Sequence, residues 1–344
     1  MVIARPLRLQ PHAVPKVWGG AALRGVLAPD DVAGASWPEA DPVGEVLLVS
    51  DQDRHASVVS GGPFAGRSLR GLMLSECDAL MGEVQLDGDE RFPLVLKLVE
   101  ARTNLSIQVH PDEAAALKLG VQPKSECWYF LDADPGAEVF LGLAPGVDAT
   151  AFASGASTPD VVDLLGRFSV RPGDGVDVSP GVVHGMGAGL VLAEVQLNST
   201  TTYRLYDWDR VGLDGQPRET HLDEALRSID FEAAPAPPGP LGFLGSGDGG
   251  GASVNQTAPL RRGKRFEVDI LDVHDPEEMA SEGRPTAILV LSGSGRLDVD
   301  GVEDEAFPLT RGGTWVLPAD LPSARIVDAD GELRVLRARP TIRN

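Results

Sequence analysis

Gln108 and His110 stand two apart in the stretch Leu105-Ser106-Ile107-Gln108-Val109-His110-Pro111. In an extended chain Leu105, Ile107 and Val109 face one way, and Ser106, Gln108 and His110 face the other. At about 3.3 Å rise per residue, the Cα atoms of Gln108 and His110 lie roughly 6.6 Å apart, so both side chains can reach one small ion. Further along come Glu126, in Lys124-Ser125-Glu126-Cys127-Trp128, and His184, in Pro180-Gly181-Val182-Val183-His184. Two imidazoles, a carboxylate and an amide oxygen suit zinc with a position left for water. They equally suit the two-histidine, one-carboxylate grouping of iron oxygenases. An ordinary account exists beside this one: His110 caps a helix beginning at Pro111, His184 sits in a turn, and Glu126 is solvated. Spacing alone leaves the two accounts level.

Glu194, Gln196 and Asn198 alternate with Val195 and Leu197, which places them on one face of a strand. That face either lines a cavity or is the wet side of an antiparallel sheet. The segment from Ser199 to Arg210 is dense in aromatics and carries Arg204. An always-charged guanidinium there could hold a phosphate or a developing anion, or simply pair with Asp207 or Asp209. Lys97 lies in an apolar run, where an ammonium needs an anionic partner or must snorkel outward. Lys124 stands two residues before Glu126.

The elements that must position these groups read as strands. Forty glycines and 27 prolines punctuate short Val- and Leu-rich runs, which favours an all-β architecture over a helical or doubly wound one. Residues 128–131 and 138–141 flank a turn sequence, as do 287–291 and 296–299, and both read as hairpins. Helix signals are few and fall on 111–119, 159–167 and 221–228. The chain of 344 residues, 42% hydrophobic, has room for one large or two ordinary domains. Its formal charge of -21 argues against nucleic-acid or anionic-membrane partners, so an anionic substrate needs a local cationic pocket. The start, Met1 to Gly20, is broken by Pro6, Pro11 and Pro15 and reads without an apolar core of secretory type, and no apolar run is long enough to span a bilayer. Two cysteines, Cys77 and Cys127, are too few for a disulfide framework and point to a reducing cytoplasm.

Proline and glycine enrichment from 231 to 252 marks a connector. The expected organisation is an N-terminal module over 1–232 with the metal site, a connector over 233–252, and a C-terminal β module over 253–344. A weak repeat supports two related modules, because 173–184 aligns without gaps to 312–323. His184 falls opposite Ser323, so metal chemistry belongs to the first module.

Taken together, these fragments resemble the type I mannose-6-phosphate isomerases of the cupin superfamily. The resemblance rests on Trp18-Gly19-Gly20, on Val43-Gly44-Glu45 with Ser57-Val58-Val59, on Phe92-Pro93-Leu94 through Lys97, and on the Gln108/His110 stretch. It continues through Lys124-Ser125-Glu126-Cys127-Trp128, Pro180-Gly181 through His184, and Tyr203-Arg204-Leu205-Tyr206-Asp207-Trp208, seven fragments in the family's order. It implies a mostly β fold of two cupin-like β-barrel (jelly-roll) modules with a few short helices, in the compact bacterial form. It implies one Zn2+ per chain held by Gln108, His110, Glu126 and His184. Arg204, Lys124 and Glu194 are the catalytic residues so implied, and Lys97 and Trp18 line the substrate site. Thr200 follows Ser199 where the family commonly has an acid, so no carboxylate role transfers to that position.

The implied reaction interconverts mannose 6-phosphate and fructose 6-phosphate through an enediol. The partner is then a small phosphosugar, with no nucleic acid or membrane, and the acidic surface and compact modules fit a monomer. The competing readings are an iron-dependent cupin oxygenase and a non-enzymatic, metal-containing sugar-binding cupin. Lys97, Lys124 and Arg204 around one site favour a phosphorylated sugar over a neutral oxygenase substrate, and a binding protein would not need the open metal position.

Overall fold

In the computed structural model, residues 4–34, 37–38, 42–245, 254–302 and 305–342 are described, and strands dominate. Their order forms four sheets, all paired antiparallel. The first is seven-stranded, in the order Gly239–Pro240, Asp174–Val178, Glu126–Ala133, Leu190–Leu197, Leu94–Ala101, Val43–Val49 and His12–Gly20. A five-stranded sheet lies against it, in the order Tyr203–Tyr206, Ile107–Val109, His184–Met186, Glu138–Leu143 and Leu165–Ser169. The second seven-stranded sheet runs Leu7–Arg8, Thr314–Leu317, Thr286–Ser292, Arg334–Pro340, Phe266–Asp272, Gln256–Arg262 and Leu244–Gly245. A four-stranded sheet of Glu277–Glu278, Ala324–Asp328, Ser294–Val299 and Phe307–Thr310 covers its far side.

Period-two alternation explains the stacking. Leu96, Leu98, Cys127, Tyr129, Ala193 and Val195 point from the first large sheet into a core shared with Val268, Ile270, Leu289 and Leu336 of the second. The intervening residues Lys97, Val99, Glu126, Trp128, Glu194 and Gln196 therefore turn toward the five-stranded sheet. There the apolar members Val99, Trp128 and Leu192 pack on Val139, Leu141 and Met186. Each large aliphatic so buried contributes about 1.5–3 kcal/mol, and the polar members of the same face are left to form a lined interior. The row Glu194, Gln196 thus lines a cavity, while Asn198 turns away and donates to the Phe92 carbonyl at 3.0 Å.

The two expected hairpins are not hairpins. Glu126–Ala133 and Glu138–Leu143 lie in different sheets, as do Thr286–Ser292 and Ser294–Val299. In each case the turn carries the chain across the sandwich instead of back along one sheet. The runs Cys127–Phe130 and Val139–Leu141 are buried on both faces, which suits interior strands of stacked layers.

The helix expected over 111–119 spans Glu113–Leu119. Asp112 is its N-cap, accepting the Ala115 N–H at 2.7 Å, and Gly120 ends it at φ 69°. That over 159–167 is a 3-10 helix, Pro159–Leu164, after which the chain turns to strand; the one over 221–228 is Leu222–Ser228. The longest helix, Leu69–Met81, had not been read from the sequence. Its signals were Ser68, which accepts the Gly71 N–H as N-cap, and buried Leu69, Leu72, Met73, Leu80 and Met81.

Leu7–Arg8, within the 1–232 span, is hydrogen-bonded to Thr314–Leu317. Gly239–Pro240 and Leu244–Gly245, within the expected connector, edge one large sheet each, and the connector's residues 246–252 lie outside the described residues. The aligned repeat places Asp174–Val178 and Thr314–Leu317 in corresponding strands, each preceded by a positive-φ glycine, Gly173 and Gly312. Among the described residues no helix is long and apolar enough to cross a membrane.

Candidate active site

Strand pairing assembles the candidate ligands. His184 pairs directly with Gln108 across the five-stranded sheet, and Glu126, opposite Gln196 in the large sheet, reaches up from below. His110 follows the Ile107–Val109 strand and is free to join them because Asp112 takes the cap position. The ligand atoms of His110, Glu126 and His184 all lie within 4.8 Å of one another. His110 Nε2 is 3.2 Å from Glu126 Oε2, and His184 Nε2 is 3.4 Å from Glu126 Oε1. Ligands at ~2.1 Å from one ion sit roughly 3–3.5 Å apart, so the spacing fits a single metal. All three residues are 1% exposed.

The protonation states fit as well. Burial holds the His110 imidazole neutral down to about 3, with the Lys124 charge adding to it, and burial depresses His184 likewise. Neutral imidazole is the ligating form. His184 Nδ1 lies 2.9 Å from the Val182 carbonyl, which fixes the tautomer that offers Nε2 to the site. Burial opposes ionisation of Glu126, but Lys124 at 2.9 Å and the two imidazoles outweigh it and hold the carboxyl well below its ordinary range. The Trp128 indole N–H also donates to Glu126 Oε1 at 3.1 Å. His110 Nδ1 is buried without a hydrogen-bond partner.

Gln108 is placed differently from the other three. Its Nε2 lies 3.2 Å from His184 Nε2 while Oε1 accepts from Ser106 Oγ at 3.1 Å. A half-turn of the amide brings Oε1 to the metal side, so ligation by Gln108 needs that orientation.

Gln108 and Lys124 open onto a cavity of about 230 Å³ whose lining includes Trp18, Lys97, Glu194, Gln196 and Arg204. All the site residues expected from the sequence thus converge on this cavity or the triangle beside it. Lys16, Glu45, His55 and Arg218 line it too, and sequence reasoning gave them no role. A larger cleft of about 400 Å³ beside the Glu113–Leu119 helix holds none of the candidate ligands.

Lys97 donates to Glu45 at 3.0 Å and lies 3.1 Å from Glu194, its register partner on the next strand. Lys16 is 2.9 Å from Glu45. Burial works against the charges of Lys97 and Glu45, yet Glu194 and Glu45 together raise the lysine, and Lys97 with Lys16 lowers the Glu45 carboxyl. Glu194 behaves otherwise: burial, with the nearby Glu126 charge, pushes it up to about 7 despite Lys97. Arg204 sits opposite Gln108 on the neighbouring strand, and its Nε is buried without a partner. Asp207 pairs with Arg210 and Arg218, and Asp209 accepts from Tyr206, so neither serves Arg204 as the surface partner that spacing allowed.

Gly44 explains two of the sequence fragments together. A Cβ there would lie 2.5 Å from Trp18 Cζ3 and 2.6 Å from Lys16 Cβ. The missing side chain lets the Trp18 ring close one wall of the cavity while Glu45 reaches the lysines. Trp18 is 4% exposed.

Comparison with known proteins identifies the family. Residues 7–144 match the family model described as phosphomannose isomerase type I, catalytic domain. A mannose-6-phosphate isomerase of Streptococcus mutans is 31% identical over 339 residues, covering 97% of this chain and 98% of the relative. Mannose-6-phosphate isomerase ManA of Bacillus subtilis is 36% identical over 67% of this chain and 70% of its own length. The crystal structure of the mannose 6-phosphate isomerase from Bacillus subtilis superposes with a TM-score of 0.82 at 30% identity, covering 97% of this chain and 99% of that one. With relatives matched along nearly its whole length in sequence and in fold, the chain belongs to the type I phosphomannose isomerase family.

Proposed function

We propose that this isomerase interconverts mannose 6-phosphate and fructose 6-phosphate through an enediol, with one zinc ion per chain. The observation that carries the reading is the buried His110–Glu126–His184 triangle opening onto a cavity that holds both a cationic arginine and a carboxyl poised near neutrality. His110, Glu126, His184 and, with its amide turned, Gln108 would hold the metal. When bound, the ion supplies Lewis-acid polarisation of the sugar's carbonyl and hydroxyl oxygens.

The chain's own groups do the rest. Glu194, with a proton affinity close to working pH, is suited to take the proton from C2 and return it at C1. Its Oε1 lies 3.1 Å from Lys97 Nζ without making a hydrogen bond, so the carboxyl is not locked to that lysine. Arg204 adds positive charge where the enediolate's negative charge grows. Lys124 keeps Glu126 ionised from the cavity side, Lys97 stands beside Glu194, and the Trp18 ring walls the sugar in.

In this reading the two sheet pairs are two cupin-type jelly rolls, the first built mainly from 1–232 and the second mainly from 253–344, with Leu7–Arg8 added to the second and the connector 233–252 lending an edge strand to each. The phosphosugar is the partner, with no nucleic acid or membrane, and the chain works as a monomer. Both cysteines are free and Cys127 is buried, which suits a reducing cytoplasm. A coupled assay for fructose 6-phosphate formed from mannose 6-phosphate tests the proposal, run before and after chelation with zinc and iron added back separately. Activity lost on chelation and restored by zinc is expected; no turnover with any metal would overturn it.

A further inference from the structure

The cleft of about 400 Å³ beside the Glu113–Leu119 helix takes its walls from both large sheets. Leu197 ends a strand of the first sheet, Pro340 ends a strand of the second, and both line it. Buried Val84 and Phe92 give it an apolar floor, and exposed Leu117 and Val121 stand at its rim. Leu117, at 85%, is the most exposed large aliphatic among the described residues. A cleft of this size, lined largely by apolar side chains and set where two layers meet, has the form of a small-molecule site.

Its charged groups are matched with one exception. Asp87 pairs with Arg265, and Asp89 lies 3.4 Å from Arg91 and accepts from the Gln122 amide at 2.9 Å. Glu113, the third carboxylate of the wall, has no cation at ion-pair distance among the described residues. One negative charge is therefore left over beside an apolar surface. The formal charge of -21 on the chain adds to the preference for a cation over an anion.

We propose that this cleft is a second binding site, for a small molecule with a ring-sized apolar body and a single ammonium, and that its occupancy is felt in the active-site cavity. The apolar walls take the body and Glu113 takes the ammonium. The coupling follows from a layer of chain that the two sites share. Gln122 and Pro123 line the cleft, whereas Lys124 lines the cavity; Gln196 lines the cavity, Leu197 and Asn198 the cleft, and Ser199 the cavity again. The two segments are tied together, since the Leu197 N–H donates to the Ser125 carbonyl at 3.1 Å and the Ser199 hydroxyl to the Gln122 carbonyl at 3.3 Å. A molecule packed on Pro123 and Leu197 thus bears on backbone whose next residues are Lys124 and Gln196, and a close-packed layer transmits such a displacement.

The test titrates tryptamine, as the probe, into metal-loaded protein by calorimetry. Tryptophol and indole-3-propionate serve as comparisons, because they keep the ring and carry no charge or a negative one. Tryptamine is expected to bind at one site per chain, to keep that site in saturating mannose 6-phosphate, and to bind more tightly than tryptophol, with the anion weakest. Glu113→Gln should weaken tryptamine by about two- to fivefold, the range of an exposed charge pair, and leave tryptophol unchanged. Leu117→Ala should weaken both by about threefold or more. Both side chains are exposed, so the fold tolerates either change. Saturating tryptamine should change the Kd for mannose 6-phosphate by about fivefold or more, and mannose 6-phosphate should change the Kd for tryptamine by the same factor.

Displacement of tryptamine by mannose 6-phosphate, a preference for the anion, or indifference to both substitutions would overturn the site. An unchanged Kd for mannose 6-phosphate would overturn the coupling. The site does not depend on the isomerase reading. A protein that binds tryptamine in this way but neither binds nor turns over mannose 6-phosphate sinks that reading and keeps the site, and the coupling is then read in zinc affinity, which the same layer reaches through Glu126.

Discussion

Replacing Glu126 by Gln tests the electrostatics of the metal centre apart from its chemistry. Lys124 and Glu126 form a 2.9 Å pair whose side chains are only 6% and 1% exposed. Glu126 is the carboxylate at ion-pair distance from Lys124, so Glu126→Gln strands a buried ammonium. The amide is nearly isosteric and its oxygen still accepts the Trp128 indole N–H, so packing and that hydrogen bond are kept. Removing one member of a buried pair costs about 3–5 kcal/mol. With a urea m-value of ~3 kcal/mol/M for a chain this large, the midpoint should fall by about 1 M or somewhat more. The measurement is urea unfolding of chelated protein, which keeps metal binding out of the comparison. The second variant carries Lys124→Met as well as Glu126→Gln; with no charge left unpaired, it should regain most of the loss. Metal content should stay low in both variants, because the carboxylate ligand is gone either way. A chelated Glu126→Gln protein as stable as wild type, or a double variant no better than the single one, would refute the account of Lys124 as the partner that keeps Glu126 ionised.

Other outcomes follow from the same geometry. His184→Ala should lose most bound metal by elemental analysis, whereas Arg204→Ala should keep it and lose turnover; metal loss in the arginine variant would contradict its role. Glu194 accepts a proton only when ionised, and its carboxyl is raised to about 7 by burial and by Glu126. The wild-type pH–rate profile should therefore climb through about pH 7, and Glu194→Gln should lose that limb along with most of its activity. Ile270→Ala, in the core shared by the two large sheets and 0% exposed, should cost about 2–5 kcal/mol with metal content unchanged. A thermal shift accompanied by metal loss would show that the shared core is coupled to the His110–Glu126–His184 triangle on the far face of the first large sheet.

What was legible in the sequence was whatever local spacing encodes. Alternation placed Gln108 and His110 together, and local helix signals over 111–119 found the helix that spans Glu113–Leu119, though its cap is Asp112 and not His110. The arches mistaken for hairpins show the limit. A turn between two apolar runs looks the same whether the chain folds back in one sheet or crosses to the facing one, and only burial on both faces tells them apart. The cavity wall was hidden for a related reason. Glu45 meets Lys97 and Lys16 because Val43–Val49 pairs with Leu94–Ala101 on one side and His12–Gly20 on the other. Arg218 arrives through a loop that closes on Asp207. These are register facts between strands far apart in sequence, and no local period carries them.

Leu7 is hydrogen-bonded in register with Val316, and Arg8 with Trp315, positions about 300 residues apart in the chain. Arg8 also lies over the Trp315 ring at 6.0 Å, and Arg5 pairs with Glu305. During synthesis on the ribosome, Leu7–Arg8 must therefore wait until nearly the whole polypeptide has emerged before its edge can be paired. Closure over so long a contour is slow, because the loop entropy is lost before the contacts form. The sandwich that carries the His110–Glu126–His184 triangle can assemble early while the Leu7–Arg8 edge of the other large sheet stays open to other chains, which makes that edge the place where a nascent-chain chaperone or a domain-swapped partner would intervene.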